Sequence, residues 1–227
     1  MQKLTVLTFI LASLVILWTG CEKAPITTQN NGACSTITDS RDGETYSVVK
    51  IGDQCWMAEN LRYNASGSWL NPSNPSVTYG RLYDWATLMN GSTSSSASPS
   101  GVQGICPSGW HLPSDSEWNE LEMTLGMSAV DTATLDGSWR GTHGTGMKST
   151  TGWVNAGNGT NDLGFNAFPA GNYYSGYNKI GYRAFFWTAT EHTSSTGFAR
   201  DINTGLGGVS RAGYDKTEGY SCRCIKD

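Results

Sequence analysis

The chain predicts an α+β domain with two short helices, a mostly antiparallel sheet and long loops. Three observations point there. A hairpin pattern stands near the start, a capped amphipathic helix lies mid-chain, and short aromatic-rich strands crowd the last third. Gly, Ser, Thr, Asn and aromatics are abundant, with 9 Trp, while charged residues make up only 15%.

Taken in order, residues 1–20 come first. Lys3 is followed by an apolar run from Leu4 to Trp18, then Thr19-Gly20-Cys21. A charged start, an apolar core and small residues before a cut predict a secretory signal. The Cys after those small residues resembles a bacterial lipoprotein signal, which implies that Cys21 is acylated. An ordinary cleaved signal and an uncleaved anchor are the alternatives. The run is shorter than the ~20 residues that span a bilayer comfortably. Residues 21–38 are polar and read as a flexible tether. Residues 39–227, roughly 190 in number, fit one domain.

Within the domain, Glu44 to Ile51, the turn Gly52-Asp53 and Gln54 to Met57 form a hairpin pattern. Ala58 to Val77 reads as loop, and Leu82 to Met89 as a short helix. Gly91 to Gly104 is a Ser-rich loop. The best helix follows Pro113. Ser114 and Glu117 stand at capping-box spacing, and Trp118, Leu121 and Leu125 share one face until Gly126 ends it. Strands are expected at 184–188, at 197–202 and at the terminus, 220–225.

The formal charge of -4 argues against nucleic acid as a partner, because such binders usually carry a basic face. Six cysteines fit an oxidising compartment. With Cys21 lipidated, Cys34, Cys55, Cys106, Cys222 and Cys224 remain, so one thiol is left over. Alternation puts Cys222 and Cys224 on one face of the terminal strand, each reaching a different partner. Cys106 is expected to bridge to Cys224, and Cys55 to Cys222 or Cys34.

No catalytic constellation emerges. Asp115 and Glu117 are explained by the first turn of a capped helix, where negative charge favours the dipole. Gly141 to Ser149 lacks phosphate-loop spacing, because Met147 separates Gly146 from Lys148. His111, His143 and His192 show no metal-ligand spacing. No cofactor is required. Calcium is the one alternative, through the oxygens of Asn155, Asn158, Asn161 and Asp162, although turn formation is the commoner job of such a stretch. Trp69, Tyr173, Tyr174 and Tyr177 sit among Gly, Asn and Ser, and are the candidate ligand-binding residues. The competing reading is that these rings pack the interior of a loop-rich domain.

Several blocks together resemble one family. They are Asp42 to Tyr46, Val49 to Leu61, Tyr79 to Ala86, Cys106 to Trp118, Gly164 to Gly171, Phe186 to Glu191 and Gly219 to Asp227. In that order they are similar to the Fibrobacter succinogenes major paralogous domain. The resemblance implies a C-type-lectin-like fold, related to that of formylglycine-generating enzymes, on a secreted or surface lipoprotein. It carries over no catalytic residue. The expected function is a non-catalytic binding or adhesion module at the bacterial cell envelope. Its expected partners are the membrane, through the lipid, and an extracellular glycan or protein. A structural envelope protein and an oxidase related to formylglycine-generating enzymes are the alternatives.

Overall fold

A computed structural model describes residues 34–72, 78–135 and 137–227. Cys21, the signal segment and the first part of the tether lie outside the described residues. Among those described, no helix is long and apolar enough to cross a membrane.

Two four-stranded antiparallel sheets dominate. One runs in the order Arg183–Glu191, Thr196–Asn203, Val209–Asp215, Trp139–Arg140. The other runs Val48–Ile51, Gln54–Met57, Ile225–Lys226, Trp110–His111. In the second sheet the C-terminal strand lies inside, with Ile225 opposite both Trp56 and His111. The segment before it joins the sheets through isolated bridges, Tyr83 to Tyr220 and Phe186 to Ser221.

Period-two alternation divides the side chains between two apolar cores. Tyr46, Met57, Tyr83, Phe185, Trp187, Tyr220 and the cysteines Cys106, Cys222 and Cys224 fill one. Val49, Trp56, Trp118, Leu121, Phe165, Phe186 and Ile202 fill the other. Strand Arg183–Glu191 is therefore buried on both faces from Ala184 to Thr190. That explains why it reads as a continuous apolar run rather than an alternating one.

The hairpin appears at Val48–Ile51 and Gln54–Met57, with Val48 opposite Met57. Its leading residues separate from it, because Thr45–Tyr46 pairs instead with Ile37–Thr38. Residues 34–38, read as the end of the tether, thus already carry a bridge and a strand. The helix Asp115–Thr124 has the full capping box, and Trp118, Leu121 and Leu125 are buried at 0, 0 and 8% exposure.

Three expectations need correction. Leu82 to Met89 is not one helix. Leu82–Tyr83 pairs with Ser68–Trp69, and Asp84 then caps a helix over Trp85–Met89 by accepting from Thr87 N. Four helices stand among the described residues instead of two, the unforeseen ones being Ala129–Ala133 and Gly144–Met147. The terminal strand is confined to Ile225–Lys226, and Val209–Asp215 is a strand the sequence reading missed.

Candidate functional site

The aromatic residues singled out by sequence converge. Asn172–Tyr173 pairs with Tyr177–Asn178, which places Tyr174, Ser175 and Gly176 at a hairpin tip. Ser175 (φ 51°) and Gly176 (φ 135°) turn the chain. Tyr174 N donates to Gly176 O at 2.8 Å, and Asn178 Nδ2 donates to the carbonyls of Tyr174 and Gly176. These bonds hold the tip in one conformation. At its base, Tyr173 and Gly219 exchange backbone hydrogen bonds of 2.9 and 2.8 Å.

Trp69 arrives from the distant pair Ser68–Trp69 and stacks on Tyr173, with centroids 4.4 Å apart and 11° between planes. Tyr177 meets Tyr173 edge-on at 5.1 Å, and its hydroxyl donates to Leu70 O at 2.8 Å. Gly219 makes this possible. A Cβ there would lie 2.7 Å from the Trp69 ring and 2.9 Å from Tyr173 Cβ. Trp69, Tyr173 and Tyr177 are half-buried, and each spends ring surface on a neighbour. Tyr174 differs, being 59% exposed at the tip.

A second cluster was not expected. Asp115 is buried and binds Arg200 Nη1 at 2.6 Å and Arg211 Nη2 at 2.6 Å. Glu122 is fully buried between Arg200 Nε at 2.9 Å and Arg140 Nη2 at 3.0 Å. The helix-dipole reading of Asp115 is thus too small. The carboxyl is held below its ordinary range; burial opposes this, but the two guanidiniums outweigh it. The one local hint is Arg200 within the apolar stretch Phe198 to Ile202, since a charge in a buried strand needs a partner.

Glu117 also does more than cap. Its Oε2 accepts from Ser114 N and Ser100 N, and its Oε1 accepts from His111 Nε2 at 2.8 Å. His111 Nδ1 meets Asp227 Oδ1 at 2.7 Å. A ring with a carboxylate at each nitrogen donates from both as the imidazolium, so this setting favours the charged form. Burial opposes that charge, but the bonds to Glu117 and Asp227 win and the pKa rises above its ordinary value. The trio borders a groove of about 530 Å³, lined also by Gln54, Pro99 and Trp110.

A raised folded-state pKa gives stability that is fully present below about pH 6.5 and fades as pH rises through the folded value. His111→Gln is therefore expected to melt below the wild type in mild acid, with the gap closing in alkali. His143, buried and shifted down, acts in the opposite sense but is common to both proteins. A melting-temperature gap that stays constant across pH would sink the prediction.

Two bridges form. Cys34 pairs with Cys55, and Cys106 with Cys224 across a separation of 118 residues. Cys222 is free, which corrects the expectation that it reaches a partner of its own. Cys222 and Cys224 do share one side, with their sulfurs 3.8 Å apart, although both lie just before the terminal strand and not in it.

In the stretch considered for calcium, two oxygens are engaged in turn formation. Asn158 Oδ1 accepts from Trp153 N at 3.0 Å, and Asn161 Oδ1 from Asn166 N at 2.8 Å. In the glycine-rich segment, Gly144–Met147 is helical, and Lys148 Nζ is capped by the carbonyls of Asn203, Thr204 and Leu206. Among the described residues the one close-set group with metal-binding donors is Cys106, Cys222 and Cys224, and two of these are bridged.

The profile of the family described as Fibrobacter succinogenes major domain matches residues 49–226. No curated protein and no solved structure matches the chain.

Proposed function

The chain belongs to the Fibrobacter succinogenes major domain family, and from that premise we propose a surface-anchored lipoprotein whose domain is a non-catalytic binding or adhesion module for glycans. The observation that carries the reading is Tyr174, 59% exposed on a hairpin tip that its own hydrogen bonds hold in place. An aromatic face presented on a rigid mount loses little entropy when it stacks on a sugar ring. Trp69, Tyr173 and Tyr177 pack on one another at the base of the hairpin that carries it. The mixed, mostly antiparallel architecture with long loops suits a C-type-lectin-like domain, an analogy of fold that by itself carries little functional weight.

The membrane partner in this reading is reached through lipid on Cys21 at the cell envelope. Metabolic labelling with a fatty-acid analogue is expected to mark the wild type and not Cys21→Ser. Equal labelling of the two would end the lipoprotein claim.

The oxidase alternative calls for accessible cysteines, whereas Cys106, Cys222 and Cys224 are 0, 1 and 0% exposed. The structural-envelope alternative predicts no ligand at all.

A glycan array with the purified protein separates the readings, and Tyr174→Ala locates the site. One aromatic stack is worth about 0.5–1.5 kcal/mol, so the variant is expected to bind about two- to twelvefold more weakly. Its melting temperature should barely move, since an exposed substitution costs within about 0.5 kcal/mol. Tyr173→Ala, which removes a ring stacked on Trp69, should instead lower the melting temperature. Unchanged glycan binding by Tyr174→Ala would remove the hairpin from consideration, and an array without signal would favour the structural-envelope role.

A further inference from the structure

Cys222 lies buried beside a disulfide rather than apart from one. Its Sγ is 3.8 Å from Cys224 Sγ, and the sulfurs of Cys106, Cys222 and Cys224 all lie within 4.8 Å of one another. The C-terminal segment sets this up. Leu61 N donates to Cys222 O and Met57 N to Cys224 O, both at 3.0 Å. Between them the Arg223 side chain binds Asn60 Oδ1 and the carbonyls of Met57, Phe165 and Asn166. The segment is therefore pinned with both sulfurs in the same apolar core as Cys106.

We propose that Cys222 is a reserve partner for Cys106, so that the bridge migrates between Cys224 and Cys222 by internal thiol–disulfide exchange. Local opening of the C-terminal segment first lets Cys222 Sγ approach Cys106 Sγ in line with the bridge; the Cys222 thiol gives its proton to hydroxide, and the thiolate attacks Cys106 Sγ. The Cys106–Cys222 bond forms as the Cys106–Cys224 bond breaks. The electron pair leaves on Cys224 Sγ, which takes up a proton from water. One disulfide and one thiol stand on each side, so no oxidant or reductant is consumed. Burial pushes the Cys222 thiol up, so the exchange is slow in the closed fold. Alkali and local opening of the C-terminal segment both speed it. The two bridges close almost the same loop. Either one staples the region before the long helix to the C-terminus, and a chain that first oxidises at Cys222 corrects itself without a second protein.

The test is peptide mapping of the full chain from an oxidising compartment, alkylated without reductant. Trypsin cuts after Arg223 and so puts Cys222 and Cys224 on different peptides. In Cys224→Ser, most chains are expected to carry Cys106 joined to Cys222. In the wild type, incubation at mildly alkaline pH before alkylation should produce a growing share of the same peptide pair. Cys222→Ser should keep only Cys106–Cys224. If Cys224→Ser fails to fold, the wild-type incubation decides alone. Appearance of the Cys106–Cys222 pair in either protein supports the proposal. Its absence from both, with Cys106 and Cys222 alkylated in Cys224→Ser, overturns it.

Discussion

Glu122→Gln is expected to lower the unfolding free energy by about 3–5 kcal/mol, the usual cost of breaking a buried ion pair by removing one partner. Gln keeps the shape of the side chain and deletes its charge. Arg200 would retain Asp115 at 2.6 Å, whereas Arg140 would keep only the carbonyls of Asp131 and Thr132 and the sulfur of Met127. Arg140 is 5% exposed, so water does not replace the lost carboxylate. The damage spreads because this one carboxyl ties the long helix Asp115–Thr124 to strands Thr196–Asn203 and Trp139–Arg140. Urea unfolding of the two proteins measures the difference. Glu191→Gln is the comparison. Glu191 pairs with Lys216 near solvent at 43% side-chain exposure, and such pairs are worth at most about 1 kcal/mol. A Glu122→Gln loss no larger than that of Glu191→Gln would show that the buried array adds nothing beyond a surface pair.

That array marks where the sequence stops being readable. What lay within a few residues was legible. The capping box of Ser114 and Glu117, the hairpin around Gly52-Asp53 and the shared face of Cys222 and Cys224 all follow from local spacing, and all are present. Features that depend on long-range pairing were not. Asp115 looked like a helix-dipole residue because Arg200 and Arg211 stand 85 and 96 positions away. Val209–Asp215 has no apolar period, since it is buried at Val209 and Ser210 and only partly covered beyond them. Leu82 to Met89 misled because its apolar residues suit a helix, and Asp84 divides it at the cap. The aromatic candidates were readable only as Tyr-rich loop sequence, and the hairpin that carries Tyr173 and Tyr177 was not foreseen. That Trp69 stacks on Tyr173 was not legible either, because the two rings are brought together by the close approach allowed at Gly219.

Cys106→Ala is expected to be the other severe change, and its effect should exceed that of Cys34→Ala. In the chain-entropy account a bridge restrains the unfolded state more as its loop lengthens. The 118-residue separation of Cys106 and Cys224 corresponds to about 5 kcal/mol, and the 21-residue separation of Cys34 and Cys55 to about 3 kcal/mol. Packing works in the same direction. Cys106 and Cys224 are both 0% exposed, inside the core with Met57, Tyr83 and Trp187, so the Ala variant also opens a void. Cys34 is also buried, at 2% exposure, but it lies outside both apolar cores and its partner Cys55 is half-buried, so less core packing is lost with the first bridge. Cys106 is moreover common to both bridges of the proposed exchange, and its loss removes the staple in either form. Domains of this size hold about 5–15 kcal/mol in all, so Cys106→Ala should leave a protein that unfolds in the cold or in little denaturant. Urea midpoints of the two variants, each against wild type, test the order. If Cys34→Ala proves as damaging as Cys106→Ala, loop length and burial are not what sets the worth of these bridges. The strand Ile37–Thr38 that the first bridge secures would then count for more than its size suggests.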